Sequence, residues 1–274
     1  MSGYKIGIVE WAFPFPGPYG LKIASELGLQ GMELDFGEYE TGFSLSVPRV
    51  QDAYLECGER FGVEFPSIAL NALNAYGMSS KRDSRERMIA VETIRKGIAA
   101  AERMKIPVVQ LPSFHENRGD IRSEEDFYNT CEMLRFACSV AADSGVILAM
   151  ENVLSAKDTK KLLSEIESER LKVLFDTQNY YLNHGYSEPE LLREIAGSVV
   201  QVHVKDGYNQ MISSALLGTG DTSFYETAKV IKETECTEWL LLENYYNQQP
   251  LSLLSEDPFA LLERDIHTLR TVFF

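Results

Sequence analysis

The residues of this chain with the types and spacing to do chemistry fall at the ends of apolar runs in its second half. Glu151 closes VILAMENV, Asp176 lies in KVLFDTQN, His203 in VVQVHVKD and Glu243 in WLLLENYY. They are 25, 27 and 40 residues apart, one strand–helix unit each. Three carboxylates and one imidazole offer hard oxygens and a nitrogen. That set suits one divalent ion, Mn2+ by preference, with Mg2+, Co2+ or Zn2+ also compatible. Taken singly, a carboxylate at a strand end is usually a cap, and a buried histidine is usually a hydrogen-bonded core residue. Four such groups buried together would repel one another at a cost of several kcal/mol unless a cation joins them.

Residues so far apart in the chain need a scaffold that delivers strand ends to one place. Eight apolar runs recur: KIGIVEW (5–11), GMELDF (31–36), VEFPSIAL (63–70), PVVQLPSF (107–114), VILAMENV (146–153), KVLFDTQN (172–179), VVQVHVKD (199–206) and WLLLENYY (239–246). Helix-like segments separate them, among them YGLKIASELGL, VPRVQDAYLECGERFG and SRERMIAVETIRKGIAAAERMK. Ser123 with Asp126 forms a capping-box-like start to a fourth, which runs on to Gly145. Later helices are expected to start near Asp158, Ser187, Ser223 and Ser255. Alternating strands and helices imply a parallel sheet covered by helices. Eight units averaging about 34 residues fit an α/β chain folded as a single (β/α)8 TIM barrel domain over residues 1–274. A doubly wound open sheet would carry a GxGxxG turn after its first strand. Trp11–Phe15 holds no such turn, and Gly218-Thr219-Gly220 is too short and too far along.

Composition narrows the function. The chain has 41 acidic and 26 basic residues, a net charge of −15, which argues against a nucleic-acid partner, since phosphate binding draws on clustered Lys and Arg. No apolar run of ~18 residues suggests a membrane span. The opening MSGYKIGIVEW lacks a basic-then-apolar leader, so a cytoplasmic protein is expected. Cys57, Cys131, Cys138 and Cys236 form no CxxC pair and read as reduced core residues.

The ordered set ENV, FDTQN, HVKD, LLGTGDTSF and LLEN resembles the xylose-isomerase-like sugar (phosphate) isomerase/epimerase superfamily. KIGIVEWAF and GMELDF are similar to that family's first two strands. The resemblance implies that Glu151, Asp176, His203 and Glu243 ligate one divalent metal, and that Glu151 and Glu243 also serve as an acid/base pair. It implies a small-molecule sugar or sugar phosphate as partner and, by family habit, a homo-oligomer. The implied activity is isomerisation or epimerisation by proton abstraction beside a metal-bound carbonyl. A lyase or dehydratase acting on an inosose or a 3-keto sugar through the same site is the alternative. Ketohexose epimerases carry a histidine where this chain has Asn179, and an arginine in the loop after strand seven that GYNQMISSALLGTGD lacks.

Further positions at the same strand ends are candidate substrate contacts, because barrel chemistry gathers at the C-terminal face. Glu10 and Trp11 would supply an acceptor and a stacking surface, and His115 in PSFHEN a polar contact. Asn179 and Asn152 would orient neighbouring groups. Lys205 reads as pointing away from His203 toward the helices and pairing with Asp206 or the surroundings of Glu243, with substrate contact as its second reading. Glu33 and Asp35 alternate with Met32 and Leu34, so one pair faces inward. His184 and His267 read as surface residues. Gly218, Gly220 and Ser213-Ser214 offer either a phosphate cradle or a flexible lid.

Overall fold

The computed structural model describes residues 3–114 and 121–274. Eight strands close in sequence order into a parallel barrel, with β1 paired to β8. They are β1 (Lys5–Val9), β2 (Gly31–Asp35), β3 (Ser67–Ala69), β4 (Val108–Pro112), β5 (Ile147–Glu151), β6 (Leu171–Asp176), β7 (Val199–Val204) and β8 (Trp239–Leu242). The α-helices among the described residues are α1 (Gly20–Glu26), α2 (Pro48–Phe61), α3 (Arg85–Met104), α4 (Glu124–Val140), α5 (Ala156–Ile166), α6 (Asn179–His184), α7 (Glu188–Ile195), α8 (Phe224–Thr234) and α9 (Pro258–Phe273). This is the expected (β/α)8 barrel.

Each expected run contains a strand and extends past its end, and two of these differences have a local cause. β3 begins at Ser67 rather than Val63, because Pro66 has no N–H to give a ladder. β6 stops at Asp176 because that side chain captures the next two free amides and starts α6, a helix the apolar pattern concealed.

The chain falls into two compact units whose boundaries cut β2 and β6. One comprises Met1–Glu33, Cys57–Glu64 and Phe175–Phe274. In it His203 and Gly7 both register with Leu241. Val202 and Val204 occupy one face of β7, while Gln201, His203 and Lys205 share the other, all five buried. The other unit comprises Leu34–Glu56 and Phe65–Leu174. There β4 and β5 pair along their whole length, from Val108↔Ile147 to Pro112↔Glu151.

Helix starts follow cap chemistry. Ser84 and Ser123 accept from the amides of Arg87 and Asp126. Ser155, three residues before the expected Asp158, is the cap of α5, and the two residues bond each other reciprocally. Asp257 rather than Ser255 caps α9, ahead of Pro258 at its first position. No helix among the described residues is long and apolar enough to cross a membrane.

Candidate metal centre

Each member of the quartet is brought to its place by a strand end. Glu151 is the last residue of β5 and Asp176 the last of β6. His203 is the penultimate residue of β7, and Glu243 directly follows β8. Asp176, His203 and Glu243, all in the first unit, each offer one ligand atom, and these atoms lie within 4.8 Å of one another. All four side chains are buried, where carboxylates without a counter-charge are costly.

Glu243 is held by two donors and faces the His203 ring. The Trp11 indole Nε1 donates to its Oε1 at 3.0 Å. The Lys205 ammonium lies 2.6 Å and His203 Nδ1 3.2 Å from its Oε2. Burial alone would raise its pKa, but Lys205 and His203 hold this carboxyl well below the usual range.

Asp176 divides its two oxygens between two tasks. Oδ1 accepts from the backbone N–H groups of Gln178 and Asn179, at 2.8 and 2.7 Å. Oδ2 faces Lys205 Nζ at 2.9 Å. Here burial prevails over the lysine, and the carboxyl is raised.

His203 lies between two carboxylates. Its Nε2 lies 2.8 Å from Glu33 Oε2, which also accepts from Gln201 Nε2 at 3.1 Å. Burial opposes the imidazolium, yet Glu33 and Glu243 raise the histidine well above its ordinary value. A carboxylate on Nε2 fixes the tautomer whose Nδ1 lone pair faces the other ligands, the usual arrangement behind a metal-bound histidine. In the second unit, Gln110 Nε2 donates to Glu151 Oε2 at 2.7 Å.

The donor set fits a divalent cation. With His203 neutral so that Nδ1 can ligate, Glu33, Asp176 and Glu243 carry three negative charges against one ammonium, a deficit that a dication balances.

Lys205 overturns the expectation that it points away from His203. Residues two apart on a strand share a face, so it accompanies His203 inward, where it is 1% exposed and contacts Glu243 as expected. Glu10 Oε1 accepts from the Gly17 amide, closing the loop after β1. Asn179 is the first residue of α6 and is buried. His115 lies outside the described residues. His184 and His267 are exposed, and the four cysteines are free.

The glycine-rich loop after β7 turns inward on the chain's own carboxylate. Asp206 accepts from the amides of Gly207, Gly218 and Gly220 and from the Thr222 hydroxyl, all within 3.0 Å. Gln178 fastens the preceding segment, accepting from Ser213 N and donating to Met211 O. A Cβ at Gly207 would collide with both Gln178 and Met211. The amides read as a phosphate cradle are therefore already engaged.

Three positioning groups, Glu33, Gln110 and Gln201, went largely unread in the sequence. The signal was a polar residue inside an apolar strand: Gln110 in VVQLP and Gln201 in VVQVH.

Comparison with known proteins agrees with this architecture. Residues 21–271 match the model of the xylose isomerase-like TIM barrel family. A 2-epi-5-epi-valiolone 7-phosphate 2-epimerase from an Actinoplanes species is 29% identical over 247 residues, covering 88% of this chain and 87% of its own length. Among solved structures, 3-keto-D-glucoside 4-epimerase from E. coli superposes with a TM-score of 0.76 at 17% identity, covering 98% of this chain and 99% of its own. An IolI protein with a bound zinc atom gives 0.77 at 13% identity, with coverages of 98% and 99%. This chain belongs to the xylose isomerase-like TIM barrel family.

Proposed function

We propose that this chain is a divalent-metal-dependent isomerase or epimerase of a ketose, keto-polyol or sugar phosphate, which moves a proton at the carbon beside a carbonyl. The observation that carries the reading is the convergence of Asp176, His203 and Glu243 within 4.8 Å, with Glu151 at the end of β5 as the fourth group of the set. These four would hold the ion, which when bound polarises a carbonyl and so acidifies the neighbouring C–H. The metal-bearing fold neighbour contains zinc; Mn2+ is the ion favoured by the oxygen-rich set here.

The chain's residues divide the remaining work. Glu151 and Glu243 exchange protons with the substrate carbon, one removing and one returning. Glu243 enters as an anion, since Lys205 and His203 outweigh the effect of its burial. Glu33 keeps a proton on His203 Nε2, leaving Nδ1 as the ligand atom. Trp11 and Gln110 orient the two glutamates. Two of the similar proteins are named as a 2-epi-5-epi-valiolone 7-phosphate 2-epimerase and a 3-keto-D-glucoside 4-epimerase, which supports the reaction class.

The test is solvent-deuterium exchange by Mn2+-reconstituted protein across ketoses, their phosphates, inososes and 3-keto glycosides. Exchange into one substrate class with inversion or isomerisation is expected. Loss of water from the same panel would replace the isomerase reading with a lyase one, and exchange into none would end both.

A further inference from the structure

Lys205 stands where a lysine is expensive to keep. Its side chain is 1% exposed, and its ammonium lies 2.9 Å from Asp176 Oδ2 and 2.6 Å from Glu243 Oε2. The backbone behind it is pinned: Lys205 N–H donates to Thr177 Oγ1 at 3.0 Å, and Thr177 Oγ1–H donates to Lys205 O at 2.7 Å. The ammonium bridges two of the three candidate ligand carboxylates, and it is tethered, so it cannot be diluted away. A cation approaching the same oxygens meets a like charge a few Å distant, at interior rather than aqueous dielectric strength.

We propose that Lys205 is a built-in competitor of the divalent ion, holding Asp176 and Glu243 together before loading and weakening the ion's grip afterwards. The inference rests on the metal-dependent reading above and adds to it a reason for reversible metal exchange. The chain stores the cation its carboxylates require, and the ion must share or take over Asp176 Oδ2 and Glu243 Oε2. Lys205 is thereby a positioning residue for the metal ligands.

Calorimetric titration of chelator-stripped protein with Mn2+ tests it. Lys205→Met, which keeps the stem and loses the charge, should bind Mn2+ about tenfold tighter or more than wild type. Its metal-free form should unfold at lower temperature, with the gap closing once Mn2+ is added. Lys205→Arg, which keeps the charge, should stay within about threefold of wild type. Equal or weaker Mn2+ binding by Lys205→Met, with wild type binding normally, overturns the inference alone. Absence of Mn2+ binding by wild type overturns the metal reading and this inference together. A Lys205→Met chain that does not fold leaves a measurement on wild type. Zn2+ added to protein labelled with 15N-lysine should move the signal of the slowly exchanging buried ammonium, and an unmoved signal at saturation overturns the inference.

Discussion

The barrel contains the same dipeptide, Glu-Asn, at two strand ends, and surrounds the two copies differently. Glu151-Asn152 ends β5 beside uncharged hydrogen-bond donors. Gln110 donates an amide to the glutamate, and Asn152 Oδ1 accepts from Leu154 N and the Thr159 hydroxyl. Glu243-Asn244 follows β8 in a charged setting. The glutamate meets Lys205 and His203. Asn244 Nδ2 donates to the buried Asp265 carboxylate at 2.8 Å, and its Oδ1 accepts from Asp206 N. The same two residue types are thus oriented by amides and hydroxyls in one place and by a charge network in the other. Residue type assigns a ligand; the surroundings decide whether removing it disturbs the chemistry alone or the fold as well.

The largest effect should be common to both. Glu151→Gln and Glu243→Gln should each lower solvent-deuterium exchange by about 10^2- to 10^4-fold, the usual contribution of a positioned acid or base. Full turnover by either variant would refute the two-carboxylate scheme and dissolve the parallel between the dipeptides.

Stability should then separate them. In Glu243→Gln, Lys205 and His203 lose a shared counter-ion inside the barrel, a change that typically costs about 3–5 kcal/mol. Glu151→Gln keeps a group that Gln110 can bond and should cost no more than about 1 kcal/mol. Urea midpoints of the metal-free proteins read the difference. Equal losses would show that the charged surroundings of Glu243 do not matter to the fold.

The acidic partner of Asn244 makes its own prediction. Asp265 accepts from Asn244, Tyr246 and Leu217 N, yet burial raises its pKa to about 6. A raised carboxylate pKa means that the folded state binds the proton more tightly than the unfolded one. Asp265 therefore favours folding fully below the unfolded pKa of about 4 and loses that contribution as pH rises toward 6. Relative to Asp265→Asn, wild type should gain up to about 3 kcal/mol between pH 7 and pH 4. A pH-independent difference would mean that the Asn244 region is not the charged counterpart of the Asn152 region.

Next in size is Glu33→Gln. Loss of the carboxylate on His203 Nε2 releases the ring's tautomer and should weaken Mn2+ binding about 10- to 100-fold. Gln110→Ala, beside Glu151, should weaken it less, which calorimetry on both variants checks.

Much of this is legible in the sequence. Eight apolar runs separated by helix-like segments mark eight strand–helix units, and the quartet stands at the ends of the last four runs, where barrels deliver chemistry. Strand ends are less legible, since Pro66 and the Asp176 turn act through single amides that hydrophobicity does not register. The partners of the candidate ligands are least legible. Glu33 and His203 are 170 residues apart, and only barrel closure makes them neighbours. Lys205 lies two residues after His203 in HVKD, so strand alternation itself places it on the face of His203. The loop after β7 offered glycines that suit an anion, and nothing in its spacing told that Asp206 would be that anion.

The finest distinction concerns Trp11. Its indole donates to Glu243 Oε1, and its ring meets His203 edge-on, with centroids 5.9 Å apart. Trp11→Phe preserves an aromatic ring beside the histidine but removes the N–H. A hydrogen bond to a charged group contributes about 1.5–3 kcal/mol, and less at a half-buried donor whose place water can take. Lys205 and His203 continue to hold Oε2, so the variant should lose about 1 kcal/mol of stability and retain Mn2+ affinity within a few-fold. If metal affinity falls as far as in Glu33→Gln, the indole rather than the two cations fixes Glu243, and the charged setting of this strand end would be incidental to how it holds its ligand.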